Sequence, residues 1–406
     1  MCDKMKFYEL SAMQRRQYYL NKGINFVDID ATELDRLDQL SENVVSKITL
    51  PLGVVQELIV NEQTYCVPMC TEEPSVVAAA NHGAKFFNLA GGTKCICQRQ
   101  GIYGQIICEI NSQFNLVMLQ NKLPNIIEAV NQKFDSLIKH GGGLRKIETF
   151  VKEDMLYLRT LVDPADAMGA NKTNLILEDI SQRLQKMTGV SELICAILSN
   201  YPSQFVQAKV EIPLQLVGTH LATKIAKLSR IGQVDPYRAV TNNKGIMNGV
   251  DAVLLASGND YRAVEAACGV QASIDGHYTS LSKWQIEENK LIGCLTLPLA
   301  IGVVGGSISA RKDVQQSFSL LGKVNAQQLA NIIASIGLAN NFAALYAITS
   351  RGINAGHMKL QARNIVAQLE ADHNQKKQVL NHMIANQKFT LTDAKQILEL
   401  IRKQDN

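Results

Sequence analysis

The chain has 406 residues, of which 46% are hydrophobic, and it carries 41 Lys and Arg against 37 Asp and Glu. This length exceeds what one hydrophobic core usually supports, so the composition predicts a globular protein of two or three domains. The small and dispersed basic excess argues against a nucleic-acid-binding protein.

The cysteines and the apolar runs indicate where such a protein resides. The nine cysteines form no C-x-x-C pair, and the N-terminus, MCDKMKFYEL, is charged from its third residue. These features favour reduced thiols in the cytoplasm, with no signal peptide and no metal site. The most apolar run, residues 291–306, is shorter than a membrane-spanning helix and contains Pro298, so no membrane segment is expected.

The first hundred residues mix helical and strand patterns. Residues 1–50 contain two short helical patterns, the second capped by Asp30, and residues 51–69 alternate as a hairpin that turns at Asn61 and Glu62. Glu73 and Ser75 follow in TEEPSVVAAA (71–80), where a strand passes into a helix. Because a glutamate at a helix start is more often a surface residue that stabilises the helix dipole, position alone does not make Glu73 catalytic.

A small α+β domain is predicted to be inserted at about residues 99–200, because a helix-strand-strand-helix pattern completes itself there. The loop DAMGAN (166–171) opens the second helix of this domain. Small residues at a helix start allow backbone N–H groups to approach a pyrophosphate, which makes the loop a candidate dinucleotide cradle. A bare helix start of this kind is nevertheless structural more often than ligand-binding.

The segment NNKGIMNGVDAVLLASGND (242–260) begins near Lys244 and ends on Asp260, which is placed to cap the following helix. Sixteen residues of unbroken helix would hold Lys244 and Asp260 roughly 24 Å apart, too far to share a site. Asn248 and Gly249, followed by Asp251, favour a helix stop and a new cap that would return Asp260 toward Lys244. On these residues alone, a surface lysine and a simple helix cap explain the segment as well.

The C-terminal third reads as helical. Residues 325–352 predict amphipathic helices, and the polar, charged last ~50 residues predict a mobile helical lid. His357 stands at the entrance of this lid in GHM (356–358). A single histidine beside a glycine is more often structural than catalytic.

Taken one after another, these local sequences resemble those of the bacterial, class II type of 3-hydroxy-3-methylglutaryl-coenzyme A reductase. The resemblance runs from about Glu42 to Ile365. The segments that carry it are ENVV (42–45), TEEPSVVAAA (71–80), GGG (141–143), DAMGAN (166–171), ILSN (197–200), VDPYRA (234–239), NNKGIMNG (242–249), GND (258–260), VGG (304–306), GHM (356–358) and ARNI (362–365).

The resemblance implies an α+β fold and a division of labour between domains. Residues 1–98 and 201–353 would form a large domain for substrate, coenzyme A and dimerisation, residues 99–200 a small NAD(P)-binding domain, and residues 354–406 a C-terminal helical flap. The implied reaction is the two-step, NAD(P)H-dependent reduction of hydroxymethylglutaryl-CoA to mevalonate with release of coenzyme A, or its reverse. The implied assembly is a homodimer, or a higher assembly of dimers, with sites completed across the dimer.

The resemblance also implies roles for individual residues. Lys244 would stabilise the oxyanion, Glu73 would donate a proton, Asp260 would link these two, and His357 would protonate the departing thiolate. The substrate-binding positions would be Ser75, Arg238, Asn200 and Asn248, and the cofactor-binding positions Asp166, Ala167, Met168, Gly169, Ala170, Asn171, Lys133, Phe134 and Asp135.

The position that selects the cofactor departs from the family pattern. Members that prefer NAD carry an acidic residue seven positions before the triple glycine, and this position is Phe134 here. Phenylalanine neither accepts a hydrogen bond from the ribose nor repels a 2′-phosphate, whereas Lys133 and Lys172 are suited to meet a phosphate. We therefore expect NADPH to be accepted at least as well as NADH. Asp135 is the competing group, because a shift of one residue along a helix turns a side chain by about 100°.

Two other functions stay open at this point: a CoA-thioester acyltransferase or hydrolase, and a catalytically silent dimeric scaffold. The first requires a nucleophile, and no Cys or Ser in the sequence has the surroundings that such enzymes show. The second is disfavoured because all four reactive positions are retained.

Overall fold

The computed structural model describes residues 6–306, 308–350 and 362–404. The chain forms two compact units, Met1–Pro51 and Leu52–Asn406. Its mixture of helices and strands confirms the predicted α+β class.

The first unit contains a 3-10 turn, Phe7–Glu9, and two helices, α1 (Ala12–Leu20) and α2 (Ala31–Asp38). As predicted, the Asp30 carboxylate caps α2 by accepting a hydrogen bond from the Glu33 N–H. Buried Arg15 joins the two helices through two hydrogen bonds to Asp38, at 2.8 and 2.7 Å. These bonds lower the pKa of Asp38.

The second unit begins with a hairpin, β1 (Leu52–Val60) and β2 (Gln63–Cys70), followed by α3 (Val76–Leu89) and β3 (Lys94–Gln98). The hairpin turns at Asn61 and Glu62, which have positive φ angles of 48° and 69°. The predicted turn is therefore confirmed, and the positive φ angles match those that tight two-residue hairpins require.

Residues 102–199 form an antiparallel sheet with strand order β5-β6-β4-β7. Its elements are β4 (Ile102–Ile110), α4 (Leu116–Lys133), α5 (Asp135–Lys139), β5 (Gly143–Lys152), β6 (Met155–Asp163), α6 (Ala170–Leu184) and β7 (Val190–Ser199). The buried side chains of α4, α6 and the strands make a separate hydrophobic core, which includes Leu119, Ile106, Leu158 and Leu177.

A second antiparallel sheet has strand order β3-β8-β10-β9, with β8 (Phe205–Pro213), β9 (Ser282–Glu287) and β10 (Lys290–Pro298). The accompanying helices are α7 (Leu214–Val217), α8 (Thr219–Gly232), α9 (Pro236–Ala256), α10 (Tyr261–Ala272), α11 (Lys312–Leu321) and α12 (Ala326–Thr349). Together with α3 and the hairpin they enclose the largest core.

Helix α12 lies at the centre of this core. It is long and apolar enough to cross a membrane by length and composition, yet 72% of its most apolar window is buried inside the protein. The expectation of amphipathic helices over residues 325–352 was wrong for the described part of this range, which ends at residue 350. One continuous helix covers Ala326–Thr349, and neighbours surround it on nearly every side, so its sequence is apolar all round.

The predicted break in the segment 242–260 was also wrong, because α9 is continuous from Pro236 to Ala256. Gly249 therefore does not end a helix. A Cβ atom at this position would lie 2.6 Å from the Asn340 side-chain nitrogen of α12, so the glycine allows the two helices to approach closely. Asp251 is an interior residue of α9 and caps no helix.

The C-terminal residues form a group of three helices: α13 (362–367), α14 (His373–Ala385) and α15 (Leu391–Gln404). They bury a small core of their own, which includes Ile365, Val379, Met383 and Leu398.

Candidate active site

Glu73 and Lys244 meet although 171 residues separate them in sequence. The Lys244 Nζ donates a hydrogen bond of 2.5 Å to the Glu73 Oε2. Glu73 is on the loop between β2 and α3, and Lys244 projects from the first half of α9. The two side chains keep 38% and 59% of their surface exposed, so a ligand can reach both groups.

Ser75 lies two residues after Glu73 in a strained conformation. Its φ angle is +77°, in the left-handed region that non-glycine residues rarely occupy, and its hydroxyl makes no capping bond to α3. Such strain collects at ligand sites, where the surrounding structure holds the residue in place. The conformation makes Ser75 a candidate for a ligand contact.

Two further side chains of α9 are candidates for substrate contacts. Asn248 is one helical turn after Lys244 and therefore lies on the same face of the helix. Arg238, in the first turn, has a buried Nε with no hydrogen-bond partner. Burial lowers the pKa of this guanidinium, and an unpaired, partly buried cation is a ready partner for a carboxylate.

Asp260 lies beyond the C-terminal end of α9. Its carboxylate caps α10, as predicted, by accepting hydrogen bonds from the N–H groups of Arg262 and Ala263, and the Arg262 side chain is 3.6 Å away. No hydrogen bond or ion pair joins it to Lys244 or Glu73, all three of which the structure describes. The unbroken helix places Ala256, its last residue, roughly 18 Å beyond Lys244.

The loop 166–171 is tied firmly to its surroundings. The Asp166 carboxylate accepts a hydrogen bond of 3.0 Å from the Ala326 N–H at the start of α12, and its backbone carbonyl accepts one of 2.9 Å from the Val303 N–H. Gly169, at φ +97°, sits so close to Pro164 that a Cβ atom would collide with it. The loop thus presents the start of α6, where Ala170 and Asn171 stand, as a fixed helix N-terminus.

A small open cleft lies beside this loop. Met168 and Ala170 line it from the loop, Asn200 from the end of β7, and Ala263 and Ala267 from α10. Predicted cofactor and substrate positions therefore face a common space, next to the helix that Asp260 caps. Ala167 forms a bridge with Val304 and holds the loop in this orientation.

The cofactor-selecting position has a distinct environment at the end of α4. The helix ends at Lys133, and α5 begins at Asp135. Phe134 lies between the two helices and has non-helical φ and ψ angles of −103° and 40°. The Nζ atoms of Lys133 and Lys172 lie 5.9 and 5.7 Å from the centre of the Phe134 ring. Lys133 is also paired with Asp179 at 2.5 Å.

Asp135, the competing group, is paired with Lys139 at 2.8 Å, and this hydrogen bond lowers its pKa. The assumption of a one-residue shift along a continuous helix was wrong, because the helix is interrupted at Phe134. His357 lies outside the described residues.

Sequence reasoning did not predict the contacts of three further residues. Asn259 exchanges two hydrogen bonds with the Gly302 backbone, Arg99 bonds the carbonyls of the loops on either side of it, and Asp251 stands beside Glu265. Of the three, only Asn259 belongs to one of the sequence motifs, GND (258–260). The other two depend on contacts between distant segments, which no local pattern reveals.

Comparisons with known proteins identify the family. The sequence model of the hydroxymethylglutaryl-coenzyme A reductase family matches residues 12–362. The chain belongs to this family. It is thus an oxidoreductase, a hydroxymethylglutaryl-coenzyme A reductase by descent, as the sequence motifs predicted.

Reductases of this family from archaea and bacteria are similar over nearly the whole chain. The enzyme of Archaeoglobus fulgidus is 33% identical over 98% of this chain and 94% of its own length. The probable reductase of Borreliella burgdorferi is 34% identical over 91% of this chain and 88% of its own length.

Solved structures of the Streptococcus pneumoniae reductase have the same fold. One superimposes with a TM-score of 0.74 at 37% identity and covers 97% of this chain and 99% of its own. Another, described as the class II enzyme bound to NADPH in open conformations, gives a TM-score of 0.73 at 39% identity and covers 95% of each chain.

Proposed function

We propose that this reductase converts hydroxymethylglutaryl-CoA to mevalonate at a site built around the Glu73–Lys244 ion pair. The contact between these two groups, which 171 residues separate in sequence, is the observation that carries the proposal. Two NADPH molecules, bound one after the other, would each supply one of the two hydrides that the four-electron reduction of a thioester to an alcohol requires. The side chains of the protein would stabilise the negative charge that develops on the substrate and would donate the protons.

Lys244 is the group suited to stabilise negative charge. When a hydride adds to the thioester carbonyl, the oxygen becomes an alkoxide, and an ammonium fixed by Glu73 would offset this charge. Collapse of the hemithioacetal breaks the C–S bond and leaves an aldehyde and a thiolate. A proton held between the Glu73 and Lys244 side chains would then reach the aldehyde oxygen as the second hydride adds. His357 would protonate the thiolate.

Substrate recognition would fall to groups on the same elements. Arg238, whose buried Nε has no partner, would bind the free carboxylate of the substrate. Ser75, Asn248 and Asn200 would bond its hydroxyl and carboxylate oxygens.

Asp260 would come from a second copy of the chain. Helix α9 separates Lys244 from its own last residue, Ala256, by roughly 18 Å, and the position of Asp260 beside the cleft favours a role at the partner's site. A two-fold dimer would place Glu73 and Lys244 of one copy against Asp260 and the cofactor loop of the other. The proposed protein is therefore a homodimer, and higher assemblies would be built from this dimer.

The cofactor would lie across the start of α6. The helix N-terminus at Gly169 and Ala170 suits the pyrophosphate, because backbone N–H groups and the helix dipole both favour an anion. Lys172, whose Nζ lies 5.7 Å from the centre of the Phe134 ring, favours a 2′-phosphate, whereas Lys133 is paired with Asp179 and Asp135 with Lys139. These contacts support NADPH as a cofactor accepted at least as well as NADH.

The predicted division into domains fits this scheme. The separate core of residues 102–199 supports a small cofactor domain within 99–200, the largest core supports a large domain within 52–98 and 201–353, and the C-terminal helices with their own core support a flap within 354–406. Residues 1–51, which the sequence assigned to the large domain, form a compact unit of their own. The eight described cysteines are free thiols, as expected in the cytoplasm, where we place the protein.

Thiol chemistry is disfavoured. A hydrolase or acyltransferase that uses a thiol needs a cysteine that is ionised near neutral pH. Burial instead raises the pKa of six described cysteines, so their thiols are poor nucleophiles. These are Cys70, Cys95, Cys97, Cys108, Cys268 and Cys294.

One assay separates the candidate functions. NADPH absorbance and free thiol are followed together after hydroxymethylglutaryl-CoA is added to the purified protein. We expect two NADPH consumed for each thiol released. Thiol release without NADPH consumption would indicate a hydrolase, and neither change would indicate a silent scaffold.

A further inference from the structure

Arg99 connects two loops that sequence analysis did not link. It lies between β3 and β4, where the chain enters the small sheet. Its Nη2 donates one hydrogen bond to the Ala165 carbonyl at 3.3 Å and another to the Ile301 carbonyl at 3.0 Å. Its Nη1 is buried without a partner.

The first of these carbonyls belongs to the base of the cofactor loop. Ala165 has a φ angle of +54°, which is strained for alanine, and it directly precedes Asp166. Its N–H donates to the Asp163 carboxylate at 3.0 Å. The hydrogen bond from Arg99 thus falls on a strained turn that sets the direction of the loop.

The second carbonyl belongs to the segment that holds the residue before Asp260. Ile301 precedes Gly302, whose N–H and carbonyl both bond the side chain of buried Asn259, at 2.8 and 3.1 Å. Gly302 also packs so closely on the cofactor loop that a Cβ atom would lie 2.3 Å from the Met168 nitrogen. One guanidinium nitrogen therefore bonds both sides of this junction.

The charge and burial of Arg99 are consistent with a residue that holds two loops together. Its guanidinium is half-buried, and burial lowers its pKa, while the negative charges of Asp163 and Asp166 favour the charged form. A cation that is withdrawn from water but makes no direct ion pair is costly to keep, so its two backbone bonds must contribute to the structure of the junction.

We propose that Arg99 is a positioning residue that fixes the cofactor loop against residues 301–304 and thereby sets the affinity for the nicotinamide cofactor. This inference rests on the proposed function only for the identity of the ligand. The hydrogen bonds of Arg99 go to backbone carbonyls, so its loss should act on cofactor binding and leave the chemical steps largely intact.

The test compares Arg99→Met, Arg99→Lys and a control, Arg159→Met. Arg159 is an exposed arginine of β6 whose guanidinium stacks on Phe150, so its removal costs a charge and a contact in the same sheet without touching the loop. Lysine at position 99 keeps one nitrogen that can donate to both carbonyls, and it removes the unpaired Nη1. Thermal unfolding of each variant confirms that it is folded.

The first readout is the Kd for NADPH from its fluorescence, together with KM and kcat. Arg99→Met should raise Kd and KM by roughly tenfold, the loss expected for hydrogen bonds from a charged group, while kcat changes less than about threefold. Arg99→Lys should remain within about threefold of the wild-type Kd, and Arg159→Met should not change it. Equal affinity of Arg99→Met and wild type, or a fall in kcat at unchanged KM, would overturn the proposal.

The second readout needs no cofactor. Hydrogen-deuterium exchange of the ligand-free protein should be faster over residues 163–171 in Arg99→Met than in Arg159→Met or wild type. Unchanged exchange there would overturn the positioning role even if activity fell. A wild-type protein that binds no NADPH would instead contradict the proposed function and leave this second readout to decide the role of Arg99.

Discussion

Lys244 and Glu73 show how far single residues can be interpreted without a structure. Each has a common structural explanation on its own, and local motifs related them only through the family. Their contact at 2.5 Å is a property of the fold, because 171 residues lie between them. For Asp260, the capping role was predictable from the local sequence GND. Its separation from Lys244 was not, because it depends on the unbroken course of α9.

Replacing Lys244 should abolish turnover without unfolding the protein. Loss of one oxyanion donor typically lowers the rate by ~10² to 10³, and we expect Lys244→Ala to lose at least this much in kcat for hydroxymethylglutaryl-CoA. The side chain is 59% exposed, so the melting temperature should hardly change. The control is Lys224→Ala, which removes an exposed lysine of α8. Near wild-type turnover in Lys244→Ala would contradict the assignment.

We expect the preference between NADPH and NADH to depend on Lys133, Lys172 and Phe134. Removal of the ammonium in Lys172→Ala should lower kcat/KM for NADPH roughly tenfold, about 1.4 kcal/mol, with little effect on NADH. Phe134→Asp should shift the preference toward NADH, since a carboxylate accepts bonds from the ribose and repels a 2′-phosphate. Kinetics with both cofactors decide this. A wild-type kcat/KM more than tenfold higher for NADH would mean that Asp135 or another group selects NAD.

At the scale of elements, local signals located hairpins and caps but not the length of helices. The turn at Asn61 and Glu62 and the caps at Asp30 and Asp260 were predicted because turn and capping residues act on their immediate neighbours. Gly249 was misread because a glycine that ends a helix and one that admits a neighbouring helix look alike in sequence. The difference lies in Asn340 of α12, 91 residues away.

The contact between α9 and α10 should depend on pH. Burial, and then a hydrogen bond to the Glu265 carboxyl, raise the pKa of Asp251 from 3.8 to about 8. A carboxyl with a raised pKa stabilises the fold fully below its unfolded pKa, and this stabilisation is lost as the pH rises toward and through about 8.

Asp251→Asn should therefore be more stable than wild type at alkaline pH, by at least ~1 kcal/mol, with a gap that narrows as the pH falls toward 4. The amide keeps the shape of the side chain and carries no charge to bury. Thermal unfolding across this pH range measures the gap, and Asp275→Asn, at an exposed position, is the control. A gap that does not vary with pH would show that Asp251 is ionised in the folded protein.

The C-terminal helices should be separable from the large core. They bury apolar side chains among themselves, so a chain that ends at residue 353 should keep its melting temperature and its affinity for NADPH. It should lose reduction of the thioester because His357 is removed. A truncated protein that unfolds, or one that still reduces hydroxymethylglutaryl-CoA, would contradict the proposed flap.

At the scale of the whole molecule, the reactive groups are divided between two places on one chain. The family motifs predicted all of them, but only the folded chain shows that Glu73 and Lys244 lie on one side and Asp260 on the other. Sequence gives the order of motifs, whereas this separation follows from the unbroken course of α9 between Lys244 and Ala256. This division is the reason why we propose a site assembled from two copies.

Complementation between two inactive variants tests this account most directly. Lys244→Ala and Asp260→Asn are purified separately, mixed in equal amounts, and allowed to exchange subunits through a dissociate-and-reassociate step. In a two-fold dimer half of the molecules become mixed, and each mixed dimer has one intact site and one doubly mutated site. The mixture should therefore recover about a quarter of wild-type NADPH consumption with hydroxymethylglutaryl-CoA. No recovery, with mixed dimers demonstrated by mass spectrometry, would show that Lys244 and Asp260 act within one chain or not together at all.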